Sequence, residues 1–432
     1  MTPSPKAFKF SYLIPLFVGF FYLATKMYFS DLTRPAETFM ILSGFIVLYY
    51  LNRVSALADS KALSLTLFLL LLTALMSWYL SFRDYPDLID NSPRAEILAR
   101  TMLFLPMAAI LALHHRASFI ALSIFILMCI LMPWFSGNGW SDIAVGFKGA
   151  RIDFAFRNAN HGALYFGTCL IVLLSFYQTL VTHKMTKKIV WISLFLVFSL
   201  FLLFTQSRGT WLALVLVFIY FGYLKIQERR LSEGTYLWKK GLLGFAVLGS
   251  LALFLLFNTS LGQSISSRVF AESNTWALIF SGNLTDLPKT SIGIRISFWL
   301  QGLNYFLERP LFGWSTQGQT LAIQLSPELA SLKGFGHLHN SWIELLINYG
   351  VIGSFLYIFS LFILSKVVKR SYQSGVISSE WLIFFKLFLF YWILVNIFEG
   401  FVLFWTGAFL CSVIFGAILG KAWRPIGHKM GS

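Results

Sequence analysis

The chain has 432 residues, of which 57% are hydrophobic and only 12% charged. Soluble domains carry about 25% charged residues, so this composition excludes a water-soluble protein and indicates many membrane spans. The net charge is +16, but the basic residues are scattered between apolar runs. This pattern favours anionic lipids and phosphate-bearing substrates as partners over nucleic acid. The three cysteines all lie inside apolar runs, which predicts neither a structural disulfide nor a C-x-x-C metal site.

Roughly twelve apolar runs approach the length of about 20 residues that crosses a hydrocarbon core. They lie near 10–29, 37–52, 62–81, 97–113, 117–135, 161–181, 188–206, 210–225, 241–257, 342–366, 381–398 and 401–420. The sequence therefore predicts an all-α polytopic membrane protein. We divide it into spans 1–9 in residues 1–257, a large loop with amphipathic helices in residues 258–341, and spans 10–12 with a tail in residues 342–432. No internal repeat is visible, so the sequence gives no support to an inverted-repeat transporter.

Lysine and arginine placement predicts the orientation of these spans. With the N-terminus in the cytoplasm, the inside segments hold 14 Lys and 6 Arg, whereas the outside segments hold 4 Lys and 10 Arg. Both termini are then cytoplasmic and the large loop faces outward. Arginine binds phosphate in a bidentate manner, so an arginine-rich outer face suggests capture of a phosphate-bearing lipid. The alternative is that the arginines only extend to the membrane interface.

The large loop shows helical periodicity. Apolar residues recur at helical spacing between Arg295 and Arg309, and Pro310 ends the pattern. Such a helix would lie in the membrane interface, with Phe298, Trp299, Leu303, Phe306 and Leu307 on one face. A second short helical segment is predicted from Pro327 to Leu332. The loop is either a packed cover without chemistry or a lid over a lipid-linked substrate.

The junction between the large loop and the tenth span carries candidate catalytic residues. His337 and His339 are two positions apart and share a face if the segment is extended. An imidazole titrates near neutral pH and can act as a general base, although a single histidine at a helix start is more often a packing or capping residue. Asn340 follows directly. Glu344, an ionisable residue at the membrane boundary, is a functional candidate or a simple ion-pair partner.

Arg208 lies in Thr205-Gln-Ser-Arg-Gly-Thr-Trp at the outer junction of two apolar runs. A charge held there needs a partner, which could be a phosphate, a carboxylate such as Glu399 or backbone carbonyls. The chain has no Asp-x-Asp, no phosphate-binding Gly-rich loop of the G-x-x-x-x-G-K type and no G-x-S-x-G motif. No His, Asp or Glu cluster has the sequence spacing of metal ligands. An enzyme built from these residues would act through arginine charge and positioning, with no required cofactor or metal ion.

These motifs resemble those of O-antigen ligases. His339-Asn340, nine residues, Gly350, two residues and Gly353 is similar to the ligase signature H-[NSQ]-x9-G-x-x-[GTY], and Arg208 with Leu212 resembles the ligase R-x3-L motif. Arg295 matches a ligase arginine that opens a helix of the outer loop, and Arg268 is a looser match. Ser207-Arg208-Gly-Thr-Trp is also common among O-antigen polymerases and protein O-oligosaccharyltransferases, so the resemblance extends to that wider superfamily.

The resemblance implies a membrane glycosyltransferase of the GT-C type in the bacterial inner membrane, with its site facing the periplasm. The donor would be a glycan on undecaprenyl pyrophosphate and the acceptor a sugar hydroxyl of lipid A–core. Arg208, Arg268 and Arg295 would bind the pyrophosphate. His339 would deprotonate or orient the acceptor hydroxyl with His337 beside it, and Asn340 and Glu344 would support them. The remaining alternatives are an O-antigen polymerase, another lipid-linked glycan transferase and a transporter of lipid-linked glycans.

Overall fold

The computed structural model describes residues 13–54, 57–181, 184–230, 259–284 and 287–423. These residues form α-helices and short 3-10 helices, with no strand among them. In chain order the α-helices are α1 Leu13–Thr25, α2 Ser30–Val54, α3 Ser60–Asp84, α4 Glu96–Ala99, α5 Phe104–Ala112, α6 Ala117–Phe135, α7 Trp140–Phe147, α8 Ala159–Ser175, α9 Tyr177–Leu180, α10 Met185–Thr205, α11 Arg208–Arg230, α12 Ser260–Phe270, α13 Ser273–Phe280, α14 Ser291–Glu308, α15 Gly318–Gln324, α16 Ser341–Gln373, α17 Ser379–Phe398 and α18 Trp405–Ala422.

Seven of these helices are long and apolar enough to cross a membrane: α3, α6, α10, α11, α16, α17 and α18. The shorter apolar helices α1 and α8 coincide with two further predicted spans. Helices α2 and α5 also coincide with predicted spans, but they do not meet the requirements of both length and apolar composition. The predicted span at 241–257 lies outside the described residues. The all-α polytopic fold is therefore confirmed, whereas the number twelve stays a prediction.

The large loop is helical, as its periodicity predicts. Helix α14 covers most of the predicted segment and ends two residues before Pro310, and a 3-10 helix spans Pro327–Leu332. The expectation that one apolar face of α14 lies in the membrane interface stays a prediction. Phe298 is buried, but Leu303 and Leu307 are exposed because the buried line of the helix runs through Phe298 and Gly302.

The chain folds as two compact units. The first comprises Met1–Ile130, Phe298–Phe385 and Asn396–Ser432, and the second comprises Leu131–Ser297 and Lys386–Val395. In the first unit α18 packs along α5, α5 also packs on α2, and α16 packs on α3. Every residue of α5 is buried, as are nearly all residues of α18. Helices that are apolar all round form a core of this kind when they are enclosed by other helices.

The first unit brings together segments that the sequence predicts on the same side of the membrane. At one end, Arg370 Nη1 lies 2.6 Å from Asp59 Oδ2, and Trp423 Nε1 donates to the carbonyl of Ala58 at 3.0 Å. At the other end, Arg309 Nη2 lies 2.5 Å from Asp84 Oδ2. At one end these contacts join α3 to α16 and α18, and at the other end they join α3 to the segment after α14, which agrees with the predicted alternation of these spans.

In the second unit, α8 packs against α10 and α11, and α7 packs on α12. Helix α8 is almost entirely buried. Phenylalanine rings fill the space beside it: the rings of Phe154 and Phe166 meet edge to face at 5.5 Å, and those of Phe166 and Phe201 lie 5.3 Å apart. This packing holds the turn between α10 and α11, where Arg208 lies.

Candidate functional site

Two histidines and a carboxylate meet in the first unit. His339 Nδ1 lies 2.7 Å from Glu399 Oε1, and His337 Nδ1 lies 3.4 Å from the same oxygen. The two imidazole rings are 3.9 Å apart between centroids. An ionised carboxylate only accepts hydrogen bonds, so Glu399 fixes the proton of His339 on Nδ1 and leaves Nε2 as an acceptor. The His339 side chain is 16% exposed and the Glu399 side chain 2%, so the carboxylate is buried behind a partly accessible imidazole.

A second buried carboxylate, that of Glu344, lies close to His337. Glu344 is fully buried; its Oε1 accepts from the backbone N–H of Leu338 at 2.9 Å and lies 3.7 Å from His337 Nδ1. Its Oε2 has no hydrogen-bond partner among the described residues. A buried carboxylate oxygen without a hydrogen-bond partner is energetically costly, because burial has removed its contacts with water. Glu344 and Glu399 thus enclose His337, and a β-carbon at Gly400 would collide with Glu344.

The local sequence explains how His339 is held. Asn340 is the N-cap of α16, and its Oδ1 accepts from the backbone N–H groups of Trp342 and Ile343 at 3.0 and 3.3 Å. A side-chain cap of this kind satisfies helix donors that otherwise lack partners. His339, the preceding residue, has φ 56°, which is unusual for a residue other than glycine. Strained backbone of this kind concentrates at functional sites, where the surrounding structure enforces it.

Glu399 is fixed from the opposite side by a buried polar network. Ser341 Oγ donates to Asn396 Oδ1 at 2.5 Å and lies 3.1 Å from the carbonyl oxygen of Glu399. The backbone N–H of Val402 donates to the same Asn396 oxygen at 3.1 Å. The start of α16 and the turn that follows α17 are therefore joined through Ser341, directly beneath the His339–Glu399 contact.

Gly350, the glycine of the motif, marks a break in α16. It has φ 65° and a non-helical ψ, and a β-carbon there would collide with the carbonyl of Leu311. The break lets the segment after α14 dock on α16. Val351 N–H donates to the Pro310 carbonyl at 2.8 Å, and Trp314 N–H donates to the Ile347 carbonyl at 2.7 Å. The spacing between His339 and Gly350 in the motif thus corresponds to the first part of α16. This part runs from the N-cap to the break where the segment after α14 packs against the helix.

Arg208 forms the centre of a polar group in the second unit. As the first residue of α11, it directs Nη2 to Glu272 Oε1 at 3.1 Å. The sequence left its partner open among phosphate, Glu399 and carbonyls, and the structure places Glu272 beside it. The Glu272 carboxylate is nearly buried, and its Oε2 accepts from the backbone N–H of Ile292 at 3.4 Å. Glu272 therefore joins Arg208 to the first turn of α14.

Arg295 lies on that same helix, three residues beyond Ile292 and thus close to it on the helix surface. Its side chain is partly buried. Arg268 lies in α12, and its side chain is outside the described residues. Glu272 therefore contacts the Arg208 side chain and the backbone of α14 one turn before Arg295.

A third basic residue, Arg151, contacts the segment that precedes Arg208. Arg151 Nη2 donates to Asn160 Oδ1 at 2.7 Å, and its Nε donates to the Thr205 carbonyl at 3.0 Å. The same Asn160 oxygen accepts from Ser207 Oγ at 3.1 Å. The segment before α8 is thus tied to the residue that precedes Arg208. It thereby supports the Ser-Arg motif, a role that the sequence did not predict for this segment.

The histidine cluster could also hold a cation. One ligand atom each from His337, His339 and Glu399 lie within 4.8 Å of one another, which suits a divalent metal ion. Sequence spacing did not reveal this group because Glu399 is sixty positions beyond His339. The expectation that no metal is required thus stays a prediction.

Two carboxylates of these clusters were missed or misjudged from sequence. Glu399 was considered only as a partner for Arg208, and Glu272 was not singled out. An available signal for Glu399 was its place between two apolar runs, because an ionisable residue at a membrane boundary is a functional candidate. Glu272 has no comparable signal, since its role depends on the fold of the loop.

Part of the chain matches a known protein family. Residues 192–358 match the family model described as O-antigen ligase, a segment that contains Arg208, Glu272, Arg295, His337 and His339. No curated protein sequence matches the chain. The family match covers the segment that carries both motifs, and it supports the resemblance to the O-antigen ligase superfamily and an activity of the ligase or polymerase type.

Proposed function

We propose that the protein is an O-antigen ligase. It transfers a glycan from undecaprenyl pyrophosphate to a sugar hydroxyl of lipid A–core and so completes lipopolysaccharide. The observation that carries the proposal is the 2.7 Å contact between His339 Nδ1 and Glu399 Oε1, which leaves Nε2 of the motif histidine able to accept a proton.

The acceptor is activated at His339. Its Nε2 accepts the proton of the sugar hydroxyl while the hydroxyl oxygen attacks the anomeric carbon of the donor glycan. Glu399 stabilises the imidazolium that forms, as in other carboxylate–histidine pairs. His337, between the two buried carboxylates, positions this pair. The signature residue Asn340 and the buried Glu344 support the geometry without touching the substrate.

The donor is held by the arginines of the second unit. Arg208 and Arg295, with Arg268, bind the pyrophosphate and stabilise the charge that it gains as it leaves. The bond from the anomeric carbon to the pyrophosphate oxygen breaks with its electron pair on that oxygen, and the new glycosidic bond forms from the opposite face. The anomeric configuration is therefore inverted. The pyrophosphate linkage supplies the free energy, and no nucleotide or metal ion takes part.

This chemistry agrees with a multi-pass protein of the bacterial inner membrane, of the GT-C type, whose large loop and site face the periplasm and whose termini are cytoplasmic. Lipid-linked glycans reach such a site within the outer leaflet. The arginine-rich outer segments and lysine-rich inner segments support this orientation.

A transfer assay with purified protein in liposomes tests the proposal. It contains undecaprenyl-pyrophosphate glycan and lipid A–core, with His339→Ala as the control. Glycan on lipid A–core from the wild type alone is the expected result. Elongated lipid-linked glycan in its place would identify a polymerase. Translocated but unjoined glycan would identify a transporter.

A further inference from the structure

A cavity of about 870 Å³ lies in the first unit, among residues that neither motif contains. One end of it is polar. The side chains there come from the turn after α1, the start of α2, α4, the 3-10 turn that follows α4, and the first residue of α18: Lys26, Arg34, Glu37, Glu96, Arg100 and Trp405. Among the lining residues that the structure describes, three cations thus face two carboxylates, which leaves a formal excess of one positive charge.

The existing ion pairs do not use all of this positive charge. Lys26 Nζ pairs with Glu37 Oε2, and Arg100 Nε lies 3.5 Å from the other oxygen of the same carboxylate. Lys26 also lies 5.7 Å from the centre of the Trp405 ring. Glu37 therefore already has a cation on each oxygen. Among the ion pairs of the described residues, none involves Arg34, which is exposed at the rim.

The other end of the cavity is apolar and runs along helices of membrane-spanning character. Arg34, Glu37, Ile41 and Phe45 follow each other at helical spacing on one face of α2. From Arg34 to Phe45 the helix rises about 16 Å, which is half of a hydrocarbon core of about 30 Å. Leu67 and Leu71 of α3 line the same apolar part. The close approach of α2 to α5 beyond it depends on Gly44, where a β-carbon would meet Pro106.

From this shape and charge we infer that the cavity binds a membrane lipid through a phosphate-bearing headgroup. The phosphate lies with Arg34 and Arg100, where it completes the charge balance, and the acyl chains follow the apolar face of α2 toward Phe45. A free phosphate ion would use only the polar end. The inference is independent of the transfer reaction, because none of these residues belongs to the histidine cluster or to the Arg208 group.

Native mass spectrometry of the full-length protein in a neutral detergent tests this site. The probes are phosphatidic acid, diacylglycerol with the same acyl chains, and inorganic phosphate. We expect saturable binding of phosphatidic acid alone, weakened about tenfold in Arg34→Gln, as the loss of one charge-assisted contact implies. The matched control is Arg53→Gln, an exposed arginine on the same helix about 28 Å further along, which should bind as the wild type does.

A second variant tests the apolar end without a change of charge. Leu71→Trp should reduce the binding of phosphatidic acid because the larger ring fills the space of the acyl chain. Equal binding of diacylglycerol would show that the phosphate is not recognised. Binding of inorganic phosphate as tight as that of phosphatidic acid would show an ion site only. An equal loss in Arg53→Gln would show non-specific attraction to a basic protein. Each of these three results would overturn the inference.

Discussion

His339 Nδ1 and Glu399 Oε1 lie 2.7 Å apart although sixty residues separate them in the chain. The contact joins the start of α16 to the turn after α17, two segments that show no relationship to each other in the sequence pattern. In the proposed mechanism this contact orients His339 as the base, since an ionised carboxylate at this distance would determine which ring nitrogen carries the proton.

Glu399→Gln should reduce glycan transfer by about 100-fold to 10⁴-fold. An amide can donate to the imidazole and favour the wrong tautomer, so the general base is lost while the shape is kept. Initial rates of transfer to lipid A–core measure the effect. The control is Glu380→Gln, the same change near the other end of α17, which should retain wild-type rates. Normal turnover by Glu399→Gln would mean that His339 is oriented by another group.

Asn340→Ala should lower stability by about 1 kcal/mol and reduce transfer, because the helix cap beside His339 is lost. Asn340→Ser keeps an oxygen that can accept from the same N–H groups and should be close to the wild type. Thermal unfolding in detergent and transfer rates, measured on both variants, give the comparison. Equal losses in Ala and Ser variants would show that the asparagine amide acts in another way.

Gly350→Ala should be strongly destabilising. The backbone there has φ 65°, and the added β-carbon would collide with the Leu311 carbonyl. The yield and melting temperature of monodisperse protein report the effect. Gly222→Ala is the matched control, because Gly222 lies within α11 with open space around it and alanine favours a helix by about 1 kcal/mol. We expect the control to have unchanged or higher stability. A Gly350→Ala protein as stable as the wild type would contradict the break in α16 that requires glycine at this position.

Arg208→Lys should reduce transfer about tenfold or more while the protein remains folded. Lysine keeps the charge and can still pair with Glu272, but it loses the planar fork that binds two phosphate oxygens. Steady-state rates at varied donor concentration measure the loss. Arg116→Lys, on the exposed turn between α5 and α6, should be silent. Near-normal transfer by Arg208→Lys would argue against bidentate phosphate binding.

Transfer should persist in EDTA, because the proposed reaction uses arginine charge and a histidine base. The experiment can give either result, because His337, His339 and Glu399 lie close enough together to bind a cation. The assay is run with EDTA-treated protein and then with single divalent cations added back. Loss of transfer with EDTA and recovery with one cation would assign these three residues to a metal site.

Much of this architecture could be predicted from the sequence because apolar length and charge placement depend on local residues. The helix near Arg295 and its end before Pro310 follow from periodicity and from the missing N–H of proline. The family could be predicted from Arg208 and from the spacing of His339, Asn340 and Gly350. These features need no tertiary information.

The partners of the motif residues could not be predicted in the same way. Glu272 reaches Arg208 across 64 positions, and Glu399 reaches His339 across 60. Such contacts depend on how helices pack, which one sequence does not reveal. For a related reason the pattern of α14 did not show that Phe298 and Gly302 lie on the side of the helix that meets α16.

The most direct test of the proposed base compares His339→Ala with His337→Ala in the purified transfer assay, with lipid A–core as acceptor. We expect no detectable product from His339→Ala and residual product from His337→Ala, with both proteins folded in detergent. An active His339→Ala protein beside an inactive His337→Ala protein would assign the base to His337 and contradict the mechanism proposed for His339.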